Sequence, residues 1–415
     1  MPNSCYSIPY NNFLIILWKI TMSAQETFNN GLPASTHAQK TQQRNDEIYQ
    51  AFEAIKQKHR ADMGEKDVKY IKKLRRFSRI FEAVGRTTVM VLPGPLALLG
   101  VPFIFLHRNI EAIEIGHNVL HGQYDSLPEV PEFHSHNFKW KAPVDEAAWC
   151  QEHNATHHVY TNVFEKDPDL SHGFLRTNPQ VPHTTWHYFQ VPFYMLFGYP
   201  TMLYNFNNQN LGLSDKFRAE KFPLGNKGYA TFKNPEHLTE QQIEKRINLS
   251  VWRIWAKEYV FFPVLSLVTG FGFWKVFFCN ALVDFLNNYW IALTIQATHF
   301  TEPLQPDDAI DNKTNWYISQ LDSSVNFKGT RLQSILWGHL NYQIEHHLYP
   351  DIPSHRYPDI AKDVKAICRQ YNLPYKLNDS WGQAIKKYLT LFWRFSFKDG
   401  KHPFPAPAYL SQHEA

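Results

Sequence analysis

The sequence predicts an all-α membrane protein in which about four transmembrane helices carry a helical, histidine-rich cap on the cytoplasmic side. Three observations lead there. Several apolar segments approach the roughly 20 residues that a spanning helix requires. Aromatic residues make up 15% of the 415-residue chain and charged residues only 19%. Seven of its 21 histidines fall in three short clusters. The balance of 42 Lys+Arg against 38 Asp+Glu, a formal charge of +4, argues against a nucleic-acid partner. Four scattered cysteines, Cys5, Cys150, Cys279 and Cys368, form no C-x-x-C pair and fit a reducing compartment.

In chain order, residues 1–64 read as a polar N-terminal extension. The run F-L-I-I-L-W (14–19) is too short to span and lacks the flanks of a signal peptide, so residues 1–21 before Met22 read as an over-called start. A catalytic domain is expected over 65–380 and a tail over 381–415. Within 67–81, Tyr70, Ile71, Leu74, Phe77 and Phe81 form an apolar stripe opposed by Lys and Arg, the pattern of an interfacial helix. Residues 86–106 are almost uncharged but broken by Pro93, Pro95 and Pro102, and 103–121 follow at once, so a cramped hairpin is expected. Residues 259–278 and 281–298 are two further candidate spans. The aromatic segment 188–206, with Pro192 and Pro200, is placed at the interface.

The clusters are G-H-N-V-L-H-G (116–122), E-H-N-A-T-H-H-V-Y-T-N (152–162) and N-Y-Q-I-E-H-H-L-Y-P (341–350). His117 and His121 share a helix face, as do His153 and His157, with His158 on the next column. His346 and His347 close the third cluster. A lone H-x-x-x-H is weak evidence, but three clusters in one chain are hard to attribute to composition. An even number of spans between the second and third clusters returns the chain to one side, so all seven histidines can meet there. The basic helix before the first span puts that side in the cytoplasm. His299 ends the last span, and Asn288, Ala292, Gln296 and His299 step down one face of it. Polar groups on a spanning helix mark a protein interior and function, which makes His299 an eighth candidate ligand. Gln343 is a candidate extra ligand, and Glu111 and Glu114, on the face of His117 and His121, are candidates either to orient the imidazoles or to form salt bridges with neighbouring helices. Eight imidazoles exceed the four or so ligands of one zinc. They suit two ions, and imidazole accepts iron as well as zinc or copper. Two irons can activate dioxygen towards an unactivated alkyl chain.

These motifs resemble the three histidine boxes of membrane fatty acid desaturases, closest to bacterial relatives of the linoleoyl-CoA or front-end type, in which glutamine replaces the first histidine of the third box. F-E-K-D-P-D-L (164–170) and S-H-R-Y-P-D-I-A-K-D-V-K (354–365) are similar to that family as well, and the resemblance spans roughly 70–380. It implies four spans, an acyl channel and a cap holding two iron ions, with His117, His121, His153, His157, His158, His299, His346 and His347 as ligands and O2 as co-substrate. It also implies a fatty acyl substrate on CoA, carrier protein or phospholipid. His339 departs from the pattern and reads as packing. H-P-F-P (402–405) does not match the heme-binding signature of a fused cytochrome b5 domain. A separate electron donor, ferredoxin with its reductase or cytochrome b5, is therefore expected. A related hydroxylase, ketolase or terminal-alkene-forming decarboxylase would carry the same boxes. A metal transporter would place its ligands near mid-membrane between repeats, and no repeat is present.

Overall fold

The computed structural model describes residues 36–171, 175–222, 225–232, 238–270, 272–306 and 308–398. The apolar run 14–19, Cys5, the start at Met22 and H-P-F-P (402–405) lie outside them. The described chain is helical apart from one two-stranded parallel sheet, in which Asn326–Phe327 pairs with Leu377–Asn378.

Two long helices form the axis of the molecule. Gly94–Leu120 and Phe273–His299 are both 27 residues long and are the two helices, among the described residues, long and apolar enough to cross a membrane. About four were expected, at other boundaries. The first turn falls at Leu92–Pro93, so the basic helix runs without a break over Glu65–Val91. The expected segment 86–106 is thus divided, its first residues ending helix Glu65–Val91, and its remainder runs with 103–120 as the one helix Gly94–Leu120. Pro102 does not break it, because Gly94–Gly100 is a tighter 3₁₀ turn and Pro102 sits at the start of the following α-helix, where a missing N–H is tolerated. Helices Glu65–Val91 and Gly94–Leu120 pack closely through glycines. A Cβ at Gly100 would lie 2.6 Å from the Gly85 carbonyl oxygen, and one at Gly85 would lie 2.7 Å from Ile104.

The second turn falls at Gly270 and Gly272, both at positive φ, between helical segments 240–269 and Phe273–His299. The expected division at 278–281 is therefore inside a helix. Helices Glu65–Val91 and 240–269 are more charged, above all in their first halves. Their second halves nevertheless expose Ile80, Val84 and Val91 and then Val260, Phe261, Val264 and Val268, the last 85% exposed. Inside this four-helix unit Arg86 and Arg108 both pair with the buried Glu258, and Arg108 also pairs with Asp284.

The two flanking segments pack into the body. Thr36–Ala61 is polar overall yet buries Ile48, Phe52 and Ile55 against Trp316, Tyr317, Leu348 and Tyr357. Trp381–Phe395 buries Ala384, Tyr388 and Phe392 in the central core. Packing thus continues across 64/65 and 380/381. In helix Glu65–Val91 the stripe divides: Ile71 and Leu74 face the core, while Phe77 is exposed.

Candidate metal centre

The first histidine cluster sits at the end of Gly94–Leu120, where the helix widens into a π-type turn over Ile110–His117. The second lies on residues 146–160, capped by Asp145, whose carboxylate accepts the Ala148 N–H at 2.9 Å. That helix also widens, over Cys150–His157. The third is on Gln343–Leu348, and His299 ends Phe273–His299. All eight rings are buried, and the structure brings all eight together.

They divide into overlapping groups. His117, His121, His153 and His346 offer nitrogens that lie within 4.8 Å of one another, and so do His157, His299 and His347. His158 groups with His346 and His347 and so lies between the two. His153 and His157 share a helix face as expected and group together with Asp169, yet each also joins a different set of histidines. Nitrogens approach each other with no acceptor between them. His117 Nε2 is 3.3 Å from His153 Nε2 and 3.4 Å from His121 Nε2, and His299 Nε2 is 2.9 Å from His347 Nε2. Two ligands at about 2.1 Å from one ion are separated by about 3.0 Å at a right angle and about 3.4 Å at a tetrahedral angle. The observed spacing is therefore that of neighbouring ligands on a shared ion. His157 Nε2, His346 Nε2 and the Gln343 Oε1 are buried without a hydrogen-bond partner, which is costly unless something else satisfies them. A donor set of imidazole nitrogens with unengaged lone pairs at this spacing fits two metal ions.

The outward nitrogens are held by the protein, which is how metal-binding imidazoles are oriented. His157 Nδ1 lies 2.9 Å from Asp167 Oδ1, and that carboxylate accepts backbone N–H groups from Asn162 at 2.7 Å and Asp169 at 2.8 Å. His299 Nδ1 donates to the Ser323 carbonyl at 3.2 Å, and His347 Nδ1 to Gln320 Oε1 at 3.0 Å. Trp149 stacks on His153 with ring centroids 4.4 Å apart. Burial pushes His153, His158, His346 and His347 well below the ordinary histidine range, and each neighbour's charge adds to this. Burial also opposes charge on His157, but Asp167 and Asp169 outweigh it and hold that ring up at about 9.

Other candidates separate. Gln343 lies within the site, its amide nitrogen 2.7 Å from His299 Nε2. Gln296 is buried one turn before His299 with Oε1 unpartnered, and it lines a cavity of about 540 Å³ whose walls include Phe193, Phe197, Phe206 and Phe217. Glu114 does not orient a ligand imidazole. It accepts from Tyr70 and Ser354 and lies 2.9 Å from His339 Nδ1, so it ties the third cluster's approach to helix Glu65–Val91. Glu111 is likewise taken up by Ser78, Arg75 and Lys141. His339 belongs to none of the ligand groups. Asp167, Asp169 and Gln320 carry functional positions that spacing did not identify. The only sequence signal was the D-P-D triplet ten residues after His157.

A fatty acid desaturase family model matches residues 92–378. The chain is similar to a NADPH-dependent stearoyl-CoA 9-desaturase of Mycobacterium tuberculosis, 29% identical over 351 residues, covering 82% of this chain and 77% of that protein. It is also similar to an sn-1 linoleoyl-lipid 6-desaturase of Synechocystis, 25% identical over 312 residues, with 70% and 78% covered. A Delta(5) fatty acid desaturase A of Dictyostelium discoideum is 22% identical over 301 residues, with 70% and 61% covered. No solved structure matches the chain. These relatives do not single out the front-end branch. The match over most of the chain, with three histidine clusters meeting in one buried centre, shows that the chain belongs to the fatty acid desaturase family.

Proposed function

We propose that the chain is an oxygen-dependent fatty acyl desaturase that introduces a cis double bond into an acyl chain, using two irons and electrons from a separate donor. The observation that carries this reading is the pair of ligand-spaced imidazole groups beside an aromatic-walled cavity that reaches Gln296, one turn from His299. In this reading His117, His121, His153 and His346 hold one iron and His157, His299 and His347 the other, with His158 between them. Gln343 completes the second set, its amide turned so that Oε1 faces inward. Irons bound there supply reductive activation of dioxygen and removal of hydrogen from two adjacent methylenes. Each alkene formed consumes one dioxygen, two electrons and two protons and releases two waters.

The chain's own residues do the positioning. The phenylalanine walls offer an alkyl chain an apolar surface, with Lys216 and Glu220 also in the lining, and Gln296 marks where that chain passes the His299 side of the centre. Asp167, Gln320 and the Ser323 carbonyl fix three rings so that Nε2 faces inward. Four helices, Glu65–Val91, Gly94–Leu120, 240–269 and Phe273–His299, form a multi-pass membrane unit in this reading. Their exposed apolar residues face lipid, and the lysines and arginines of 66–79 lie at the cytoplasmic surface beside the site. The Mycobacterium relative's name supports a CoA-linked acyl chain and electrons that come from NADPH. Gln343 in place of the third box's first histidine supports the front-end branch. Expression in a host without unusual unsaturation, followed by mass spectrometry of its acyl chains, tests the reading. New double bonds at one position are expected, and hydroxylated or chain-shortened products instead would overturn it.

A further inference from the structure

One buried amide lies behind two ligands of a single group. Gln123 follows His121 by two residues and is fully buried. Its Oε1 accepts the Ser354 backbone N–H at 2.9 Å, and its Nε2 donates to the Pro350 carbonyl at 3.0 Å. A backbone N–H can only donate and a backbone carbonyl can only accept, so these two contacts fix which end of the amide is which. The end facing Tyr357 and Asn118 is therefore the donor. Of its two hydrogens one goes to Pro350 and the other to the nearer of these, the Tyr357 hydroxyl at 3.1 Å, with Asn118 Oδ1 farther away at 3.4 Å.

Both Tyr357 and Asn118 touch a ligand histidine. Asn118 is oriented by the same logic: its Nδ2 donates to the Glu114 carbonyl at 3.0 Å, which leaves Oδ1 facing His117 Nδ1 at 3.2 Å. An oxygen there requires the proton on Nδ1 and leaves the His117 lone pair on Nε2, the nitrogen that faces His121 and His153. The Tyr357 hydroxyl lies 3.4 Å from both His346 Nδ1 and the Tyr349 carbonyl. With one hydrogen received from Gln123 and its own given to Tyr349, it accepts from His346 Nδ1. That leaves His346 Nε2 as the lone pair, and this atom is buried without a partner.

We infer that Gln123 is a positioning residue that sets the tautomer of His346 through Tyr357, beside the Asn118 that sets that of His117, and so tunes one of the two ions and not the other. This rests on the two-iron reading above, and it goes beyond it in assigning a role to a residue that touches no ligand. The opposite group has its own supports, Asp167, Gln320 and the Ser323 carbonyl, none of which is joined to Gln123.

The test uses the full chain in lipid nanodiscs, loaded with ⁵⁷Fe and read by Mössbauer spectroscopy alongside iron content and product formation. Gln123→Glu keeps the shape and the acceptor facing Ser354 but removes the donor. Iron content should stay near that of the unaltered protein, while about half of the spectrum shifts and activity falls roughly tenfold to a hundredfold. Tyr357→Phe should shift the same half, and Asp167→Asn the other half. A Gln123→Glu spectrum identical to that of the unaltered protein would overturn the inference. So would equal change in both halves or loss of both irons from Gln123→Glu and Tyr357→Phe alike, which would show a packing role. Fewer than two irons in the unaltered protein would instead refute the metal reading itself, and this inference with it.

Discussion

On one side of the histidine cluster, His117 and His346 lean on neutral groups, the Asn118 amide and the Tyr357 phenol. On the other, His157 leans on the buried carboxylates of Asp167 and Asp169. The ligand type is the same and the bracing differs in charge. A carboxylate behind an imidazole raises its basicity, so the His157 side should bind a cation more tightly and favour its more oxidised form. The neutral side keeps rings whose proton is already lost at neutral pH. Two ions in one cavity can thus be made unequal without changing a single ligand.

The largest expected effect comes from removing ligands on either side. His346→Ala and His299→Ala should each abolish product and each lower iron content, by plasma mass spectrometry, with the protein still inserted in membranes. Stoichiometric zinc with full activity would refute the iron assignment for both sides. Next comes the bracing itself. Asp167→Asn should lower activity or metal affinity roughly tenfold to a hundredfold, as is typical when the group behind a ligand imidazole is changed. An unchanged affinity would mean that the carboxylate only packs the loop.

A pH effect sharpens the comparison further. In the metal-free protein His157, held up at about 9 by Asp167 and Asp169 against burial, carries its proton at neutral pH. Iron binding at its Nε2 must expel that proton, so affinity should rise with pH and level off above about 9. Calorimetry in buffers of differing ionisation enthalpy should detect the release near neutral pH, and Asp167→Asn should remove it. The smallest effect is expected at His339. It hydrogen-bonds Glu114 at 2.9 Å, away from both groups, so His339→Ala should keep most iron and product while costing roughly 1–3 kcal/mol of stability, read from thermal unfolding. Iron lost at His339→Ala and kept at His299→Ala would reverse the ligand assignment.

The eight ring positions were legible in the sequence because box spacing is a local pattern and His299 ends an apolar helix. Their division into two sets was not. His153 and His157 look like one pair in sequence, and only the arrival of His346 beside one and His347 beside the other separates them. The roles of Gln123 and Gln320 depend on contacts with residues far along the chain or on another helix, which no spacing encodes. Glu114 misled for the same reason, since the helix face it shares with His117 says nothing of Tyr70 and Ser354 approaching from elsewhere. The turns at Leu92–Pro93 and Gly270–Gly272 moved the helix limits because charge at a helix's start hides its continuity with the apolar part.

The widened turns at Ile110–His117 and Cys150–His157 carry a consequence for length. A π-type turn is an α-helix that has gained one residue, and each residue advances a helix by about 100°. Removing one residue from 110–116 would let the backbone relax to a regular spiral and rotate His117 by about that angle against everything before it. The helix could still lie correctly among its neighbours while its imidazoles aimed elsewhere. Single-residue deletions there should therefore be far more damaging to iron content than to membrane insertion, and a compensating insertion a few positions away should restore the aim.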